Sequence, residues 1–190
     1  MNDRSNLWKG LAAGLVGGLV ASWTMNRFQD SWSKLAKSLE VSPPSEFQNV
    51  CCEGLEGSPG FQVSKPDPNP AVQDDTTVRA ASALSEGLFH HKLTPSEKKI
   101  AGPAVHYILG TGVGALYGAA AEIAPKVTSG KGLPFGAAFW LVVDEGAVPL
   151  LALSKGPTAY PLSTHVYALS SHFVYGLTAE VVRRAVRKAM

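Results

Sequence analysis

Charge is scarce in this sequence. Asp, Glu, Lys and Arg together make up 17% of its 190 residues, against about a quarter in an average soluble domain. The 17 basic and 15 acidic residues nearly cancel, and no basic face interleaved with aromatics is present, so nucleic acid is removed as a partner. Cysteine is confined to the adjacent Cys51 and Cys52, read as two ordinary loop cysteines, with a disulfide to a partner chain or a strained vicinal one as the alternative in an oxidising compartment. A zinc site would have to recruit His90 and His91, and the spacing fits no zinc module. No nucleophile pairs with a base, so an enzyme is not expected. Neither a metal nor a cofactor is expected; the competing cofactor reading is a haem held by two of His106, His165 and His172.

What the chain has instead is apolar length. Four windows, Leu7–Trp23, Gly102–Ala124, Leu133–Leu153 and Leu162–Val182, reach the roughly 17 to 25 residues that a hydrocarbon core of about 30 Å requires. They predict an all-α polytopic membrane protein, a bundle of four transmembrane helices with a long extramembrane loop. Residues 1–27 form the first transmembrane helix, read as a retained anchor rather than a cleaved signal. Residues 28–100 form an external loop with short amphipathic helices, and residues 101–190 a three-helix transmembrane region with a basic C-terminal tail. Arg4 and Lys9, Lys126 and Lys131, and Arg183, Arg184, Arg187 and Lys188 flank the spans on one side, which places both termini in the cytoplasm.

Within the loop, Phe28, Trp32, Leu35 and Leu39 stand at helical spacing. Either an amphipathic helix lies at the membrane surface there, or the first span continues as a helix into water. Six prolines between 43 and 70 make residues 41–71 irregular, and a short helix is expected around Val72 to Leu88. In "LTPSEKK", Thr94 as N-cap, Pro95 at the first helical position and Glu97 at the third predict a helix start ahead of the second span.

Glycine recurs every fourth residue: Gly10, Gly14 and Gly18 in the first span, Gly110, Gly114 and Gly118 in the second, then Gly136 and Gly176. Small residues on one face let backbones approach closely where lipid removes the hydrophobic drive to associate. The text "GTGVGA" is read in the same way, because a dinucleotide fingerprint needs a preceding strand.

Set against this apolar frame, Asp144 and Glu145 sit side by side in "FGAAFWLVVDEGAVPLLALS". His106 and Glu122 share the glycine face of the second span, while His165, His172 and Glu180 form a polar face on the fourth. Asp144 with His172 is the natural pair at one depth, with Glu145 turned about 100° away toward a neighbouring helix. The second and fourth spans run in the same direction, so an intramembrane polar cluster of Asp144, Glu145 and His172 at the midplane is expected, extended by His106 and His165 toward one face and by Glu122 and Glu180 toward the other, either handling protons or fixing helix register.

His106, Tyr117, Ala121-Glu122, Pro125-Lys126, Gly136, Pro149, His172, Glu180 and Arg183-Arg184 recur in an order and spacing that resembles the YagU-like family of small bacterial inner-membrane proteins. The resemblance covers about residues 102 to 188 and departs at Asp144, where a member of that family carries a histidine. It implies a multi-pass protein of the bacterial inner membrane, loosely linked to acid-stress tolerance. The expected partners are the lipid bilayer and either further copies of the chain or a larger membrane complex, for which this protein would be an accessory or assembly subunit.

Overall fold

The computed structural model describes residues 2–38 and 74–190. Cys51, Cys52 and the proline-rich stretch lie outside these residues. The described chain is all helical, without strands. Helix α1 spans Asn2–Ser38, α2 Thr76–Phe89, α3 Pro95–Ile123, α4 Leu133–Val142 and α5 Leu162–Ala189. Short 3-10 turns at Pro125–Gly132 and Pro157–Ala159 complete the connections.

Local sequence explains the boundaries. Between Gly18 and Pro43 no glycine or proline interrupts α1, so it runs unbroken past residue 27 to Ser38. It is thus about 55 Å long at 1.5 Å per residue, and residues 28–38 continue it as one helix. Helix α2 starts at Thr76 because the Asp75 carboxylate accepts the Val78 N–H at 2.8 Å, and it stops at His90, which turns left-handed at φ 51°. Helix α3 opens with a reciprocal cap. Thr94 Oγ1 accepts the Glu97 N–H, and Glu97 Oε2 accepts the Thr94 N–H at 2.7 Å, satisfying two donors that a helix start otherwise leaves unpaired.

Packing fixes the topology. A β-carbon added at Gly18 would lie 2.6 Å from the Gly110 carbonyl oxygen, and one at Gly14 would lie 2.9 Å from the Gly118 Cα. Gly10 faces the Gly118 carbonyl. These pairs run in opposite senses along the two helices, so α1 and α3 are antiparallel and meet backbone to backbone. Gly17 of α1 abuts the Ala179 carbonyl of α5, and Gly136 of α4 abuts His172 and Gly176. Helices α3 and α5 therefore run one way, and α1 and α4 the other. Helix α2 leans on the start of α3, where Gly102 faces Val78 and Lys98 pairs with Asp74 at 2.5 Å.

The interior is small and polar, and the exterior is large and apolar. Ala13, Ala21, Ala168 and Ala179 are buried together with Ser22, Ser171, His172, Glu180 and Arg183. Leu19, Ile108, Leu116, Leu150, Leu162 and Val181 are at least half exposed. Among the described residues one segment, Pro125–Leu150, is both long and apolar enough to cross a membrane on its own composition. The other long helices fall short because their inward faces carry glycine, serine, histidine, glutamate and arginine.

Candidate functional site

The backbone of α4 does not continue as a regular helix through the paired carboxylates. Residues Val143–Ala147, "VDEGA", form a π-helical turn in which the Val148 N–H donates to the Val143 carbonyl five residues back. Pro149 accounts for it. Proline has no N–H for the Glu145 carbonyl, and its ring would press against that carbonyl in an α-helix; a wider turn removes the clash. Single π turns inside helices are frequent at functional sites.

The widened turn alters where the two acids face. In a regular helix Asp144 and Glu145 diverge by about 100°, yet here both reach α5. Asp144 Oδ2 lies 3.7 Å from His172 Nδ1. Glu145 Oε1 lies 2.6 Å from His165 Nδ1. His165 and His172 are seven residues apart, two turns along one face of α5.

The two pairs differ chemically. His165 Nε2 is 3.0 Å from the Pro157 carbonyl, an acceptor only, so that nitrogen carries a proton. The short contact on the other side then requires one shared proton between Nδ1 and Glu145. In the second pair, His172 Nδ1 faces the Ala168 carbonyl at 2.9 Å and must donate to it. Asp144 Oδ2 is left buried with no hydrogen-bond partner, although its side chain is only 11% exposed. Buried polar atoms are normally paired, so the Asp144 pair has unused capacity and the Glu145 pair does not.

Other unpaired buried atoms cluster at this end: Asn26 Oδ1, Gln29 Oε1, His106 Nε2 and Trp140 Nε1. Asn26 also donates to the Tyr107 hydroxyl at 3.2 Å.

Glu122 and Glu180 are not part of this group. They sit at the opposite end, each locked by arginine. Glu180, 1% exposed, accepts both forks of Arg183 at 2.7 and 3.0 Å, the Arg184 Nε–H, and the Tyr117 hydroxyl at 2.9 Å. Glu122 accepts two N–H groups of Arg187 at 2.8 and 3.1 Å. Glu122 and Glu180 thus lie toward the opposite face from His106 and His165, as their helix directions imply, but they and the Asp144 group form two separate clusters rather than one extended cluster. Between them lies an aromatic layer in which Phe135 stacks on Tyr117 at 4.0 Å and Phe139 packs on Tyr175 at 5.0 Å; the Tyr175 hydroxyl donates to the Gly110 carbonyl.

Sequence reasoning left the arginine partners, Asn26, Gln29 and Trp140 out of the site. The spacing of Arg183 and Arg184, three and four residues after Glu180, was the available signal for the lock. Among the described residues no group of three His, Cys, Asp or Glu side chains is arranged to hold a metal ion.

No curated protein and no solved structure matches the chain. Residues 74–181, more than half of its length and including the carboxylates and histidines of both polar clusters, match the sequence profile of DUF1440, described as a protein of unknown function. The chain belongs to the DUF1440 family.

Proposed function

We propose that this protein is a multi-pass protein of the bacterial inner membrane, of the YagU-like kind, that handles protons at the π turn of α4. The spanning part of the reading is supported by the inverted arrangement of side chains, small and polar within, large and apolar without. In water such a surface would drive association; against lipid it is the expected one. Four antiparallel helices, α1, α3, α4 with its continuation to Leu150, and α5, cross the bilayer in this reading, with both termini in the cytoplasm.

The observation that carries the proton reading is the unpaired Asp144 Oδ2 beside His172. Rotating the His172 N–H from the Ala168 carbonyl toward Asp144 would complete a pair able to accept and release a proton. Glu145–His165, closer to the bundle end, would exchange protons with the adjoining aqueous side. Ionisable groups held inside a membrane are by default functional, and acid tolerance is a setting in which such a site would serve.

Proton flux into liposomes containing wild type, Asp144→Asn or His172→Gln tests this. Each substitution should lower flux at least several-fold while helix content and thermal unfolding stay near wild type. Equal flux from the three folded proteins, or wild-type flux no greater than that of protein-free liposomes, overturns the proposal.

The arginine locks favour a second reading, an accessory subunit in which the polar groups fix helix register. Purification in mild detergent separates the two, because a subunit brings stoichiometric partners and a self-sufficient proton-handling protein does not.

A further inference from the structure

At the end of the bundle that carries the arginine locks, we propose a binding surface for the phosphate headgroups of anionic phospholipids, formed by Lys126, Lys131 and Arg184. The inference rests on the membrane-spanning reading.

Charge at this end is uncompensated. Glu122 and Glu180 are the carboxylates presented there among the described side chains, and Arg187 and Arg183 already neutralise them. Lys126, Lys131 and Lys188 are exposed and form no ion pair among the described residues. At the far end, by contrast, Asp30, Asp74 and Glu97 offset Arg27, Lys98 and His91.

The cations are also placed rather than scattered. The α3–α4 connection turns through Gly130, Lys131 and Gly132, all left-handed at φ 68°, 55° and 84°. Gly132 is pinned against the Gly176 carbonyl, so Lys131, which as a non-glycine adopts this conformation at some strain, is held at the outer edge. Arg184 is tethered through Nε to Glu180, its side chain 57% exposed, and its Nη2 lies 3.5 Å from Thr128 Oγ1 on the same connection. A planar guanidinium fixed at one edge leaves its remaining N–H groups for a phosphate.

What selects a lipid over a free anion is the surface beneath. Ile123, Val127, Leu133 and Val181 are exposed alongside these cations, so a ligand filling the place presents phosphate to the rim and acyl chain below it. Trp8, 69% exposed near the same end, suits an interfacial depth.

The test uses the full chain in an uncharged detergent, titrated with phosphatidylglycerol, with phosphatidylcholine of the same chain length, and with inorganic phosphate. Phosphatidylglycerol should bind at least ten-fold more tightly than phosphatidylcholine. Lys126→Gln with Lys131→Gln, neither of which touches Glu180, should weaken it by about five-fold per lysine at unchanged helix content, and Arg184→Gln should weaken it further. Equal affinity for the two lipids, or a double lysine variant that binds like wild type, overturns the inference. Full competition by inorganic phosphate also overturns it and assigns the surface to a free anion. Extraction of native membranes with alkaline carbonate distinguishes the two levels. Release into the supernatant defeats the spanning reading and this inference together, whereas a chain that stays with the membrane and does not discriminate lipids defeats this inference alone.

Discussion

Glu180 and Asp144 are both buried acids, and their neighbours give them opposite characters. Glu180 is saturated by Arg183, Arg184 and Tyr117, whereas Asp144 keeps an oxygen without a partner. Glu180→Gln strands the Arg183 guanidinium, itself 7% exposed, with no carboxylate, and removing one member of a buried pair typically costs about 3 to 5 kcal/mol. Tyr117→Phe deletes one neutral donor and leaves the arginines in place, a loss of about 1 kcal/mol. Thermal unfolding in detergent should therefore fall far more for Glu180→Gln than for Tyr117→Phe; equal losses would mean the arginines are not held by that carboxylate. At this scale the sequence supported the identity of the buried acids and the Glu180 spacing to its arginines. It could not supply Tyr117, because that contact depends on how α3 and α5 are rotated about their axes.

Among the elements, the start of α3 was the most legible and the π turn the least. Thr94, Pro95 and Glu97 specify their helix end by contacts within four residues, and the structure shows that cap. Glu97 is held at about 2, below its ordinary 4.5, first by the Thr94 backbone N–H, then by the Thr94 hydroxyl and by His91. A carboxylate with a depressed native value gives stability that is fully present above its unfolded value and is lost as pH falls through the native one. Hydrogen exchange at the first turn of α3 should thus accelerate as pH drops from about 4.5 toward 2, after correction for intrinsic rates, and Thr94→Ala should loosen the same turn by about 1 kcal/mol at neutral pH. A first turn indifferent to acid would show that the cap does not hold it. The π turn was hidden because periodicity assumes regular rises. Pro149, four residues after Glu145, was the sign that the ladder must change there, and the two acids consequently share α5 instead of diverging.

For the whole molecule, the four apolar windows and the glycine intervals were readable because each is a repeat along the chain. The division of the polar groups toward two ends was readable as well, from the shared direction of the second and fourth apolar windows; the gap between them was not, since Phe135, Phe139 and Tyr175 fill it from different helices. Among the described residues Pro125–Leu150 alone is apolar enough to cross a membrane on its own composition, because a helix that turns glycine and ionisable residues inward lowers its own average. The outward positions of Trp8 and Trp23, 69% and 53% exposed, permit a direct check. In liposomes of brominated lipids, a variant retaining only these two tryptophans should lose a large part of its fluorescence, and bromines near the headgroups should quench both more than bromines at the chain ends, because Trp8 and Trp23 stand at opposite ends of the first apolar window. Unquenched emission would place this surface in water or against protein.

The glycine seam between α1 and α3 has a consequence for heredity. Every base change that alters a glycine codon's meaning enlarges the residue or ends the chain, so mutation can only widen this seam. The usual remedy for an enlarged residue, a smaller one opposite, is closed at the middle of the seam, because Gly14, Gly18, Gly114 and Gly118 meet nothing but the backbone of the facing helix. A lineage that acquires a side chain at one of these four has nothing to remove opposite it, and its shortest way back is reversion at the same codon.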